Sequence, residues 1–203
     1  MTRGKRMAAA AVTGAFLSVI VLGASPPVSA DKPAEPAESG VVERFDTIGG
    51  HTVGPVMTDV GGAMLPILVV VGWDSAATLC TGGPPVFNGV EQVVSSPSGN
   101  FSVVVHNSDV PVLVFDVSAA DSEPDFIAKC AAGEIVPLAT GTANQRPIIN
   151  GTDRAVNFKV KTRGVVTDAS GQVWTMQSFI KVREVFGAED PQVLNEWVKL
   201  TAL

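Results

Sequence analysis

Alternation of apolar and polar residues is sharpest towards the C-terminal end of the chain. Val156, Phe158 and Val160 alternate with Asn157, Lys159, Lys161 and Arg163, and Trp174, Met176, Ile180 and Val182 alternate with Thr175, Gln177, Lys181 and Arg183. Successive side chains of a strand point to opposite faces, so each segment reads as a strand with one core face and one wet face. Phe179 breaks the pattern by standing among the polar positions. Between the two segments Asp168-Ala169-Ser170-Gly171 has turn chemistry, with Gly171 free to take a positive φ. Gly164 is expected to mark a bulge.

Earlier segments carry the same signal less evenly. Leu65 to Trp73 is apolar on both faces and reads as a central buried strand with Pro66 at its start. Val86 to Val94 follows, then turn residues Ser95 to Asn100. Phe101 to His106 and Val110 to Val117 read as a hairpin across Asn107-Ser108-Asp109, and Glu134 to Thr140 is a weaker strand candidate. Ser122-Glu123-Pro124-Asp125 ahead of Phe126 to Cys130 has the cap, acidic first turn and Gly133 stop of a short helix. A second helix is expected from Asp190-Pro191 to about Leu200, with a terminal strand over Glu196 to Leu203 as the alternative. From Phe45 to Gly62 glycines interrupt short apolar pieces, and no element is assigned there. About eight short strands with one or two short helices predict an antiparallel β-sandwich of immunoglobulin-like type, or else a closed β-barrel.

The first residues add a destination. Arg3, Lys5 and Arg6 precede an uncharged run from Met7 to Gly23, and Val28-Ser29-Ala30 has the small-x-small pattern of a signal-peptidase site. Residues 1–30 are therefore read as a signal peptide cleaved after Ala30, 31–40 as a flexible Pro/Ala/Glu leader, and 41–203 as one β domain that is secreted or extracytoplasmic. Pro26-Pro27 and the small residues of the apolar run argue against an uncleaved membrane anchor. In an oxidising compartment Cys80 and Cys130, the only cysteines, are expected to form a disulfide. Ala-, Val- and Gly-rich usage leans towards a bacterial source.

Cleavage would remove three of the 14 basic residues and none of the 20 acidic ones, leaving 11 − 20 = −9. Such a surface disfavours nucleic acid and anionic membrane unless a local basic patch exists, and Lys159, Lys161, Arg163, Lys181 and Arg183 are the candidate patch. Their plainer explanation is the solvated face of a hairpin.

Catalytic chemistry is scarce. There are two histidines, His51 and His106, and no tyrosine. His106, Ser108 and Asp109 are too close together in sequence for triad geometry, and no nucleophile elbow occurs. No metal-ligand spacing stands out. Asp116, Asp121, Glu123 and Asp125 form the one carboxylate cluster; of these Asp121, Glu123 and Asp125 are weak candidates for Ca²⁺, against helix capping as the simpler account. Trp73, Trp174 and Trp197 are candidates for a stacking platform, with core packing favoured for Trp174. Asn100-Phe101-Ser102 and Asn150-Gly151-Thr152 are glycosylation sequons in expected turns. No cofactor is implied. The expectation is a non-enzymatic β domain acting through protein or surface contacts. The alternatives are a sandwich or barrel enclosing a small apolar ligand, and an extracytoplasmic hydrolase.

Overall fold

The computed structural model describes residues 41–47, 50–85, 87–95, 100–152, 154–187 and 191–203. In chain order the elements are β1 (Val41–Thr47), β2 (His51–Val60), β3 (Ala63–Val71), α1 (Ala76–Cys80), β4 (Phe87–Ser95), β5 (Phe101–Asp116), α2 (Glu123–Ala131), β6 (Ala139–Gln145), β7 (Ile148–Gly151), β8 (Ala155–Asp168), β9 (Val173–Val185) and β10 (Gln192–Ala202). The protein is mainly β with few helices. The expected signal peptide, its cleavage after Ala30, the leader and most of the Ser95 to Asn100 turn lie outside the described residues.

All ten strands join one sheet through antiparallel ladders. Its pivot is β5. The first part of β5 pairs with β4 on one edge and β7 on the other, while the last part pairs with β3 and β6. Between these parts the register shifts from Asn107 to Val110, and Asp109 sits at φ 55°. Asp tolerates the left-handed region better than most residues, and the bulge it allows bends and twists the strand. The residues expected to turn a hairpin therefore make a bulge inside one long strand instead.

The path β2–β3–β5–β6–β8–β9–β10 takes six antiparallel steps, so β10 runs in the same direction as β2. The two strands lie alongside each other. There the Gly54 N–H donates to Oε2 of Glu196 at 3.2 Å. No ladder joins β10 to β2 among the described residues, but since β6 and β7 both lie between β5 and β8, the circuit β5–β6–β8–β7 closes on itself. Two separate sheets of immunoglobulin type are not seen among the described strands. The closed circuit agrees with the barrel alternative.

Two cores flank the sheet. Val53, Ile67, Val69, Val71, Val112, Val160, Met176, Val198 and Leu200, from six of the strands on that path, meet on the inside. On the other face of β3 and β5, Leu68, Val70, Leu113 and Phe115 pack under the helices against Phe126, Cys80, Cys130 and Ile135. Burial on both faces explains why Leu65 to Val71 shows no alternation. The Cys80–Cys130 disulfide, Cα atoms 5.8 Å apart, ties α1 to α2. It is buried in the second core, where sequence placed it between a loop and a helix. Ser122 caps α2 as expected, accepting from the Asp125 N–H at 3.4 Å.

Several expectations are corrected. The C-terminal segment is strand β10, paired with β9 from Gln192↔Arg183 to Ala202↔Trp174, so the strand alternative holds and starts earlier than Glu196, and the expected helix does not form over the described residues 191–200. A helix there would have left the backbone of β9 without a partner along a full edge. Gly164 carries no bulge, because the register runs unbroken through Gly164↔Met176 and Ala143↔Gly164. A Cβ there would strike the Thr142 carbonyl and Ala143, so the glycine serves close approach of β6 and β8. The weak strand at Glu134 begins only at Ala139. In β2, the strand sequence did not reveal, Gly54 and a cis Pro55 sit where the register shifts between Val53 and Val56.

Candidate functional site

The alternation in β8 and β9 sorts two polar sets onto opposite faces of the same strands. Outside, Lys159, Lys161, Arg163, Lys181 and Arg183 are all exposed. Lys159 stands directly opposite Lys181 in the ladder, a like-charge pair that costs the sheet stability. A groove of about 990 Å³ runs beside them, lined by His106, Asn107, Ser108, Asn144, Gln145, Arg146, Lys159, Lys161, Arg163 and Phe179 among others. Its wall holds four lysine or arginine side chains and no carboxylate. Phe179, the residue that departed from the alternation, stacks on Trp197 of β10 with ring centroids 6.0 Å apart and planes 20° apart. The Lys161 ammonium lies 5.6 Å from the Trp197 ring centroid, a cation–π contact that holds this lysine stem against the aromatic pair. Arg146, which sequence did not single out, enters because its N–H donates to the Lys161 carbonyl at 3.3 Å and pins the end of β6 to β8.

Inside, the same ladders align a different row. Asn107 of β5 faces Gln145 of β6, Gln145 faces Thr162 of β8, and Thr162 faces Ser178 of β9. All four side chains are at most 4% exposed. Their amide and hydroxyl atoms have no hydrogen-bond partner within the protein, nor does Nε2 of His51. Each such atom left unpaired costs about 1–3 kcal/mol, so a row of them is a feature the fold has to offset or satisfy. His51 packs edge-on to Phe158, and burial alone lowers its pKa from 6.5 to about 4, leaving it neutral at physiological pH. A cleft of about 470 Å³ opens beside this interior between the β2–β3 turn and β10, bordered by Met57, Gly61, Trp174, Val198 and Leu200.

The other sequence candidates do not converge. His51 is interior whereas His106 is exposed on the groove, and Ser108 and Asp109 form the β5 bulge. In the carboxylate cluster, Asp125 accepts from Lys129 at 2.8 Å and from the Asp121 N–H at 2.9 Å. The lysine hydrogen bond, ahead of the backbone one, holds Asp125 below its usual range. Among the described residues no group of three or more His, Cys, Asp or Glu side chains is placed to hold a metal. The tryptophans are dispersed: Trp73 donates to the Gly83 carbonyl, Trp174 packs on the inner core and donates to Asp168, and Trp197 is on the outer face. Asn150 lies in β7, not a turn, and its Oδ1 accepts from Ser102 of the other sequon at 2.7 Å.

The interior row was open to a closer sequence reading. Thr162 and Ser178 occupy apolar-parity positions of β8 and β9, and a polar residue on the core face is the informative exception. Asn107 and Gln145 carried no such signal, because their strands do not alternate. No protein-family model, curated protein or solved structure matches this chain.

Proposed function

We propose that this protein is a non-enzymatic extracytoplasmic binding domain, built around the closed β5–β6–β8–β7 circuit, that engages an acidic segment of a partner protein in the groove over β8 and β9. The observation that carries the reading is the groove wall: Arg146, Lys159, Lys161 and Arg163 without a carboxylate, on a chain whose formal net charge is −6. Alternate residues of a strand are about 6.6 Å apart, so the β8 cations match the spacing of alternate carboxylates on an extended acidic peptide. A screening length of about 8 Å at physiological salt lets the local cations act despite the opposite overall charge. Phe179 and Trp197 supply the aromatic anchor that protein interfaces favour. The Cys80–Cys130 bridge fits an oxidising compartment, and among the described residues no helix is long and apolar enough to cross a membrane. An apolar guest in the barrel is disfavoured, because the interior carries the polar row.

Titrating the protein with poly-L-glutamate while following tryptophan fluorescence tests this. Saturable binding, weakened at least tenfold in Lys159→Gln/Lys161→Gln/Arg163→Gln, is expected. Equal affinity of this variant and the parent would overturn the proposal, and binding confined to a sulfated polysaccharide would replace the acidic peptide with a glycan.

A further inference from the structure

The interior row raises a question of its own, although Asn107 and Gln145, at its β5–β6 end, also border the groove. Asn107, Gln145, Thr162 and Ser178 are neighbours across four consecutive strands, so their side chains form one band and not four isolated defects. Six side-chain atoms of this band, both atoms of each carboxamide and both hydroxyl oxygens, are buried without a partner in the protein. Carboxamides offer donors and an acceptor, and hydroxyls offer both, so the band presents a mixed and uncharged set. Nothing ionised belongs to it: among the buried polar side chains of the described residues the one titratable group, His51, is held neutral by desolvation. Apolar side chains bound the band along the same strands, Val160 and Ile180 to one side and Met176 to the other. A charged guest would lose its hydration there without gaining a counter-ion, and an apolar guest would leave the band unpaired. A small neutral hydroxylic guest satisfies both constraints.

We infer that the Asn107–Gln145–Thr162–Ser178 band is an internal binding site for small uncharged hydroxylic molecules, with ordered water as its resident ligand. Buried waters typically make about three hydrogen bonds to otherwise unpaired groups, which is the environment four adjacent polar side chains create. The groove provides the approach, since Asn107 and Gln145, at one end of the band, line it.

The test is a water-selective NOE and ROE experiment on the isotope-labelled protein carrying its native disulfide. Long-lived water cross-peaks to the side-chain amides of Asn107 and Gln145 and to the backbone amides of Thr162 and Ser178 are expected. Thr162→Val should erase the cross-peaks at Gln145 and Ser178, with the amide spectrum of α2 unchanged as the control for folding. Adding ethylene glycol distinguishes the guests: shifts confined to the band extend the site to small polyols, and their absence restricts it to water. Direct side-chain to side-chain hydrogen bonds across the band with no water cross-peaks at any of the four residues would overturn the inference.

Discussion

Strands β8 and β9 carry polar residues on both faces, yet the two sets obey opposite rules. Outside, the polar groups are charged, long and exposed, and two lysines are allowed to face each other. Inside, they are short, neutral and fully buried. The difference follows from solvation. Water screens a like-charge pair to a fraction of a kcal/mol, so an outer face can accumulate cations for a purpose other than stability. A buried ion has no such relief, so an interior polar layer is restricted to amides, hydroxyls and a neutral imidazole.

Exchanging the two sets should give the largest effect. Thr162→Lys, which moves an outer residue type to the inner face, is expected to cost about 3–5 kcal/mol or to prevent folding, because it buries an unpaired charge. Lys161→Thr, the converse change one position away, should stay within about 1 kcal/mol, the value of an exposed cation–π contact. Denaturant melts of the two variants check this, and a similar loss in both would mean that the faces are not distinguished as described.

Acid should strike the inner face next. The folded-state pKa of His51 lies below its unfolded value, so the unfolded chain binds the extra proton between about pH 6.5 and 4. Stability is expected to fall as pH drops through that window, by up to on the order of 3 kcal/mol, and to be flat in it for His51→Phe. Asp125 and Asp168, both depressed by hydrogen bonds from Lys129 and Ser170 respectively, stabilise the fold throughout that window, and their contribution is lost only at lower pH, as the carboxyls become protonated. Chemical denaturation at pH 7.5, 5.5 and 4.5 separates these contributions.

Legibility from sequence followed the same division. The β8–β9 hairpin, with its inward Val156, Phe158 and Val160 and its outward cations, was readable because one face is dry and the other wet. The two-faced strand β3 was readable because both faces are dry. What escaped were places where tertiary pairing overrides local chemistry. Asn107-Ser108-Asp109 has turn residues but a partner strand on either side, and Asp190 to Leu200 has a helix start but an unpaired β9 edge to fill. The cation patch was visible as residues, but Arg146 and the stacked Phe179–Trp197 pair required knowing that β6, β8, β9 and β10 are neighbours.

The smallest stability effect falls on the outer face. Lys159→Gln removes the repulsion with Lys181 and should leave stability unchanged or raise it by a few tenths of a kcal/mol while weakening binding of an acidic peptide. A stabilising substitution that costs affinity is the signature of a surface kept for recognition. Loss of stability in Lys159→Gln by more than about 1 kcal/mol, read from the same melts, would mark this lysine as structural.

Amide chemical-shift mapping with an acidic peptide probes the groove most directly. On adding an extended poly-glutamate peptide, the largest shifts are predicted at Arg146, Lys159, Lys161, Arg163 and Phe179, shrinking as salt rises. Shifts centred instead on the β2–β10 cleft or on α1 and α2, or no shifts at low salt, would contradict the account.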